Sequence, residues 1–207
     1  MSFFMAALYD GVMRPMEDAC GHAWRGELLS DLRGAVLEVG AGTGRNLDHY
    51  PRELDRLVLL EPDPHMARRL RKRLGQSPFA GRAEVLEADL DHAALAPASF
   101  DVVVATLVLC SVPDVPAALA SMRRLLKPGG ELRFLEHVAS DDPSRLAWQR
   151  RLEPLWKRVA GGCHLCRHTE ASIEAGGFRL ERVERASARR ALPIVRATVR
   201  GVARRVD

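Results

Sequence analysis

The segment Val36-Leu37-Glu38-Val39-Gly40-Ala41-Gly42-Thr43-Gly44 constrains this chain more than any other. Val36 to Val39 reads as a buried strand. Three alternate glycines then let the backbone turn sharply and approach a ligand closely. About 20 residues further on, Leu57-Val58-Leu59-Leu60-Glu61 makes a second apolar run that ends in a carboxylate able to accept both hydroxyls of a ribose. Strand, glycine turn, helix, strand and acid is the layout of a nucleoside site at the carboxyl edge of a parallel sheet. The expected fold class is therefore α/β and Rossmann-like.

Glycine spacing selects among nucleosides. A dinucleotide turn reads G-x-G-x-x-G and lays bare amides against a diphosphate. Here the third glycine comes one residue early, at Gly44, and Arg45 stands where glycine is needed. Glu38, just ahead of the turn, is a poor neighbour for a diphosphate and suits a cationic ligand: the sulfonium and ammonium of S-adenosylmethionine. The E-x-G-x-G-x-G pattern resembles the first motif of the class I S-adenosylmethionine-dependent methyltransferases.

At 207 residues the chain is read as a single domain covering 1–207. The net charge of +4 comes from basic residues scattered from Arg14 to Arg205, so no nucleic-acid partner is expected. Four cysteines in this length make no disulfide framework and point to a reducing compartment. The N-terminal patch Phe3-Phe4-Met5-Ala6-Ala7-Leu8 is short and lacks a basic region before it. A cytoplasmic protein without stable membrane insertion is expected.

Periodicity lays out the rest. Helices are expected from Phe3 to Met13 and from Met16 to about Leu32, separated near Pro15, with Met16, Ala19, Cys20, Ala23, Trp24 and Leu28 on one stripe. A short helix follows the glycine turn around Asn46 to Tyr50. Asp63 caps a helix that has Pro64 at its first position and runs to about Leu74. Strands are expected over Ala83–Glu87, Phe100–Thr106, Leu132–Val138 and Phe178–Val183. Helices are expected over Val115–Leu126, Arg145–Ala160 (interrupted near Pro154) and His168–Ala175. After Pro193 the alternation of Val195, Ala197, Val199 and Gly201 with Arg196, Thr198 and Arg200 has period two. It predicts an antiparallel strand that completes a seven-stranded sheet. Residues 1–33 read as a helical lid, 34–138 as a cofactor core, and 139–207 as acceptor-side helices with the last strand pair.

This order resembles the class I methyltransferase fold over nearly the whole chain. The resemblance implies S-adenosylmethionine contacts at Glu38, Gly40, Gly42, Gly44, Asn46, Glu61, Pro62, Asp89, Leu90, Thr106 and Leu107. Asp89 would take the adenine amino group and Leu90 would contact the ring; a helix cap is the alternative role for Asp89. Neither an Asp/Asn-Pro-Pro-Tyr nor a Pro-Cys pair follows the fourth strand, so a base acceptor is not indicated. A narrower resemblance, to the alkyl-thiol methyltransferases of animals and their bacterial relatives, rests on several segments. They include Tyr9-Asp10, Glu61-Pro62-Asp63-Pro64-His65, Thr106 to Val112, Glu136-His137-Val138, Glu153-Pro154-Leu155-Trp156-Lys157 and Gly162 to Arg167. It implies a small-molecule acceptor met by Tyr9, Cys163 and Arg167. The animal proteins carry a long apolar N-terminal anchor, and no such stretch is read here.

The chemistry implied is an in-line displacement in which an acceptor lone pair attacks the methyl carbon and the sulfonium becomes a neutral thioether. A thiol is mostly protonated at neutral pH, so a base helps. His137 is the first candidate and His164 the second, with a structural histidine bonded to a carbonyl as the alternative for His137. Cys110 is read as a buried thiol. Cys163-His164-Leu165-Cys166-Arg167-His168 offers thiolate and imidazole, the ligands zinc prefers, but has no second pair at matching spacing. A substrate-facing loop without metal is expected there. Transfer to a small thiol is the leading reading. Transfer to carbon or oxygen of a quinone or lipid precursor is the alternative, and a non-catalytic cofactor-binding protein the third.

Overall fold

The computed structural model describes the backbone of residues 3–206 and the side chains of residues 9–206. The apolar patch from Phe3 to Leu8 therefore has its side chains outside the described residues. Helix α1 spans Phe3–Met16, a π-helical turn covers Glu17–Gly21, and α2 spans His22–Leu29. Pro15 was expected to separate two helices, yet it lies inside α1. The wider turn directly after it absorbs the disruption that a ring without an N–H imposes on the helical ladder. That turn buries Glu17, Cys20 and Gly21.

Strands β1 (Ala35–Val39), β2 (Arg56–Leu60), β3 (Ala83–Leu86), β4 (Phe100–Thr106) and β5 (Leu126–His137) pair in parallel. β6 (Phe178–Ser187) and β7 (Ala197–Arg205) add an antiparallel pair, giving the order β3-β2-β1-β4-β5-β7-β6. Chain order reverses between β1 and β4, and the crevice at the carboxyl ends of those strands is where such sheets bind ligands. The continuous apolar runs are explained by two cores. Leu37, Val39 and Val103 pack on one face with Leu119, Met122 and Ile173. Val36, Leu57 and Val104 pack on the other with Leu28, Leu29 and Leu70.

The remaining helices are α3 (Pro64–Leu74), α4 (Val115–Leu125), α5 (Pro143–Val159) and α6 (Thr169–Ala175). Asp63 caps α3 by accepting from the amides of His65 and Met66, as the sequence predicts. Asp114 and Asp142 do the same for α4 and α5, each with proline in the first turn. α5 begins two residues before the expected Arg145 for this reason, and it runs through Pro154 without a break. The Lys127-Pro128-Gly129-Gly130 stretch lies inside β5 as a bulge. Pairing jumps from Phe100–Leu126 to Val102–Glu131 across it. A 3-10 turn at Pro193–Val195 removes Val195 from the last strand. Among the described residues, no helix is long and apolar enough to cross a membrane.

Candidate active site

The glycine turn leaves β1 with Gly40, Gly42 and Gly44 at φ 63°, 58° and 83°, a region costly for any residue with a side chain. The reasons for glycine differ along the turn. A Cβ on Gly40 would lie 2.6 Å from Val108 Cγ2, so the turn packs directly on the loop after β4. A Cβ on Gly42 would meet nothing within 4 Å, so this stretch of backbone faces open space. The Gly42 amide donates to Glu61 Oε2 at 2.7 Å, and Glu61 Oε1 accepts from the Asp63 amide at 2.9 Å. Burial raises the Glu61 carboxyl above its ordinary range, against the pull of those two amides. Acid and glycine turn, 19 positions apart, are thus one unit. Pro62 beside them is exposed. An open backbone edge next to an anchored carboxylate fits a ribose-bearing cofactor.

Glu38 differs from expectation. It is only 1% exposed, and its carboxylate oxygens accept from Asn46 Nδ2 and Tyr50 Oη, each at 2.8 Å. Its part is to hold those two side chains, and direct contact with a cation is not what this geometry provides. Burial pushes its pKa up to about 7, opposed by Tyr50, Arg25 and Asn46. Asn46 and Thr106, both expected at the cofactor, do come together: Asn46 Nδ2 donates to Thr106 Oγ1 at 3.0 Å.

The centre of this network is Arg25, which the sequence reading missed. Arg25 Nη1 donates to Asn46 Oδ1 at 2.6 Å and to Thr106 Oγ1 at 3.0 Å, and Nη2 pairs with Glu17 at 2.9 Å. All four side chains are buried. A signal was available: Arg25 lies three and four positions before Leu28 and Leu29, on the face of α2 that enters the core. α1 closes over the same turn through Asp10, whose carboxylate accepts from Thr43 Oγ1 at 2.8 Å and pairs with Arg45 at 2.9 Å. Half-buried Tyr9 senses Arg25, Cys110 and Arg45, and burial pushes its hydroxyl up to about 12.

Asp89 is exposed, and its Oδ1 accepts from the amides of Asp91 and His92 and faces His92 Nδ1 at 2.6 Å. His92 accordingly holds the Asp89 carboxyl below the usual range. Leu90 is buried beside it. Leu107 follows β4 with φ 59°, a left-handed conformation unusual outside glycine, and its amide donates to Leu135 O at 2.7 Å. That bend sends Val108 to Val112 across the carboxyl ends of the strands.

This bent loop forms the second half of the site. Glu136, fully buried, accepts the amides of Val108, Leu109 and Cys110 at 2.8, 2.9 and 3.2 Å. Arg167 donates to the carbonyls of Leu109 and Val112, tying the loop after α5 to the loop after β4. The His164 amide adds a bond to Cys110 O at 2.8 Å. His137 sits at the end of β5 as expected, but it is 4% exposed and its Nε2 lies 3.2 Å from Cys163 Sγ. Burial lowers its pKa, and Cys163 and Glu136 outweigh that, for a net rise. Neighbouring Cys110 and burial push the Cys163 thiol up. His164 turns its ring away from this pair, to Glu153 Oε1 at 3.1 Å, and Glu153 Oε2 accepts the Cys166 amide. The two cysteines of the Cys-x-x-Cys stretch thus face different partners.

The chain is similar to known proteins in sequence and in structure. The methyltransferase domain family matches residues 37–134. Thiol S-methyltransferase TMT1B of Rattus norvegicus is 40% identical over 157 residues, 72% of this chain and 64% of the rat protein's own length. TMT1B of Homo sapiens is 37% identical over 193 residues, 88% of this chain and 77% of the human protein. In structure, an S-adenosylmethionine-dependent methyltransferase from Mesorhizobium loti superposes with a TM-score of 0.64 at 20% identity, covering 92% of this chain and all of that one.

Proposed function

Since this chain belongs to the class I S-adenosylmethionine-dependent methyltransferases, in the family of thiol S-methyltransferase TMT1B, we propose that it methylates the sulfur of a small thiol. The observation that carries the acceptor class is the length of the human match. Its 193 aligned residues run well beyond residues 37–134, into the segments that build the Cys110, His137 and Cys163 corner. When bound, S-adenosylmethionine supplies an electrophilic methyl group on a positive sulfonium.

The residues of the chain divide the work. Gly42, Glu61 and Asp89 grip the nucleoside, Asn46 and Thr106 set the wall held by Arg25, and Leu107 brings the bent loop beside the methyl. Arg167, close to Cys110 and Cys163, supplies positive potential where an acceptor sulfur has to carry negative charge. Holding nucleophile, methyl and leaving sulfur in line in a dry site provides most of the remaining acceleration. α1 serves as the lid, latched by Asp10 on Thr43 and Arg45. Four unpaired cysteines suit a reducing, cytoplasmic setting.

The test is incubation with methyl-labelled S-adenosylmethionine and matched panels of small thiols, phenols and quinols. Label is expected in thioethers. Label in phenols or quinols alone would move the protein to oxygen or carbon transfer. Cofactor binding without label in any product would leave a binding protein. Deleting residues before Pro15 is expected to lower turnover more than stability; unchanged kinetics would remove the lid.

A further inference from the structure

Three sulfur and nitrogen ligands meet where the sequence showed none together. Cys110 Sγ, a ring nitrogen of His137 and Cys163 Sγ lie within 4.8 Å of one another. They arrive from three segments: the loop after β4, the last residue of β5 and the loop after α5. We propose that Cys110, His137 and Cys163 form a zinc site with one open coordination position, facing the acceptor side of the cofactor crevice. Zinc takes thiolate at about 2.3 Å and imidazole at about 2.0 Å, which sets tetrahedral ligands roughly 3.5–3.8 Å apart. The three donor atoms, all within 4.8 Å of one another, are close to that spacing. Cys163 and His137 are already at 3.2 Å.

Independent features fit a metal ligand set better than three packed side chains. Trp156 Nε1–H donates to Cys163 Sγ at 3.2 Å, the kind of donor that steadies a coordinated thiolate. Each segment is fixed before any ion arrives: Glu136 grips the Cys110 amide, and the His164 amide holds Cys110 O. Two thiolates and a neutral imidazole cancel the charge of a divalent zinc ion, so the centre can be buried at modest cost. Cys166 stays outside, against Glu153, which explains why the Cys-x-x-Cys spacing gave no complete site.

Three protein ligands with a free position is the arrangement of catalytic zinc, whereas closed structural sites have four. Resting on the thiol reading above, the open position would take the acceptor. The thiol proton leaves to solvent as its sulfur joins the ion. That sulfur then forms a bond to the cofactor's methyl carbon while the sulfonium carbon–sulfur bond breaks, and the neutral thioether, a poorer ligand, departs. His137 is then a ligand, and no protein base is needed.

The site and the substrate reading are tested separately on the full chain. After equilibration with zinc and gel filtration, elemental analysis is expected to find about one zinc per chain in the wild type and in Cys166→Ser and Cys20→Ser. Cys110→Ser, Cys163→Ser and His137→Ala are expected to lose it while S-adenosylmethionine still binds in calorimetry, which separates ligand loss from unfolding. Cobalt substitution is expected to give a thiolate-to-metal charge-transfer band that shifts when a small thiol is added. A metal-free wild type, or zinc lost on Cys166→Ser and kept in Cys110→Ser, overturns the site. A cobalt band unmoved by thiols overturns the open position. A normal cobalt band with no thiol methylated would leave the metal site standing and remove the thiol reading instead.

Discussion

The glycine-turn unit of the cofactor site and the proposed acceptor end of this crevice are built over different distances along the chain. In the first, Glu38 holds Asn46 and Tyr50, 8 and 12 positions away, and Glu61 holds the Gly42 amide 19 positions away. The wall beside that unit reaches further, from Arg25 and Asn46 to Thr106 across 81 and 60 positions. At the acceptor end, Cys163 meets His137 across 26 positions, and Arg167 reaches the Leu109 carbonyl across 58. The first is a strand–turn–strand unit, β1 to β2 with a short 3-10 turn between them, whose turn chemistry dictates its own geometry. The second exists only once β4, β5 and the α5 loop have been brought together. Variation in the second can therefore change the acceptor without disturbing the cofactor grip.

The sharpest break of this contrast is Arg25→Ala. It leaves Glu17 as a buried, unpaired carboxylate and strands Asn46 and Thr106, so unfolding stability is expected to fall by about 3–5 kcal/mol in urea titration. A loss below about 1 kcal/mol would mean the network relaxes and does not hold the cofactor wall.

Glu38→Gln is next. The folded-state pKa near 7 lies above the ordinary 4.5, so between those values the folded chain carries a proton that the unfolded chain has released. Glu38's contribution is therefore most favourable below pH 4.5 and is lost as pH rises to 7. The stability of wild type relative to Glu38→Gln is expected to drop by about 3 kcal/mol from pH 4.5 to 8. A difference flat in pH would mean Glu38 ionises as an exposed acid does.

Glu136→Gln addresses the other end. Replacing an acceptor of three buried amides by a group that must donate one bond is expected to cost about 2 kcal/mol. Turnover should fall while S-adenosylmethionine affinity holds. A parallel loss of cofactor affinity would show the two ends to be one cooperative unit. The smallest effect on folding is expected for exposed Asp89→Asn, within about 0.5 kcal/mol. A roughly tenfold weaker cofactor in calorimetry would accompany it if Asp89 receives the adenine amino group. Unchanged affinity would reduce Asp89 to the cap of the turn it already serves.

What the sequence made legible follows the same division. Strand, turn and acid could be read because spacing in the chain is spacing in the unit, and the period of two placed β7 beside β6. Arg25 could have been read as core-facing from its place before Leu28 and Leu29, but its partner could not, because Glu17 is turned toward it only by a π turn. Glu38 was read as facing a ligand because local sequence does not say that Tyr50 reaches back to it. The Cys110, His137 and Cys163 group was hidden for a topological reason: no spacing rule links two loops and a strand end.

The insertion of β7 between β5 and β6 has a consequence for biosynthesis. Chain order is β5, β6, β7, while spatial order is β5, β7, β6. Until Ala197–Arg205 has left the ribosome, β5 presents a bare edge to its surroundings, ready to pair with any passing strand. β6 meanwhile has no neighbour of its own in the sheet. The nascent chain thus passes through a stage in which the completed parallel half is exposed on one side. Charged side chains along β5, Glu131 and Arg133 among them, are suited to keep that edge from pairing wrongly until the final strand arrives.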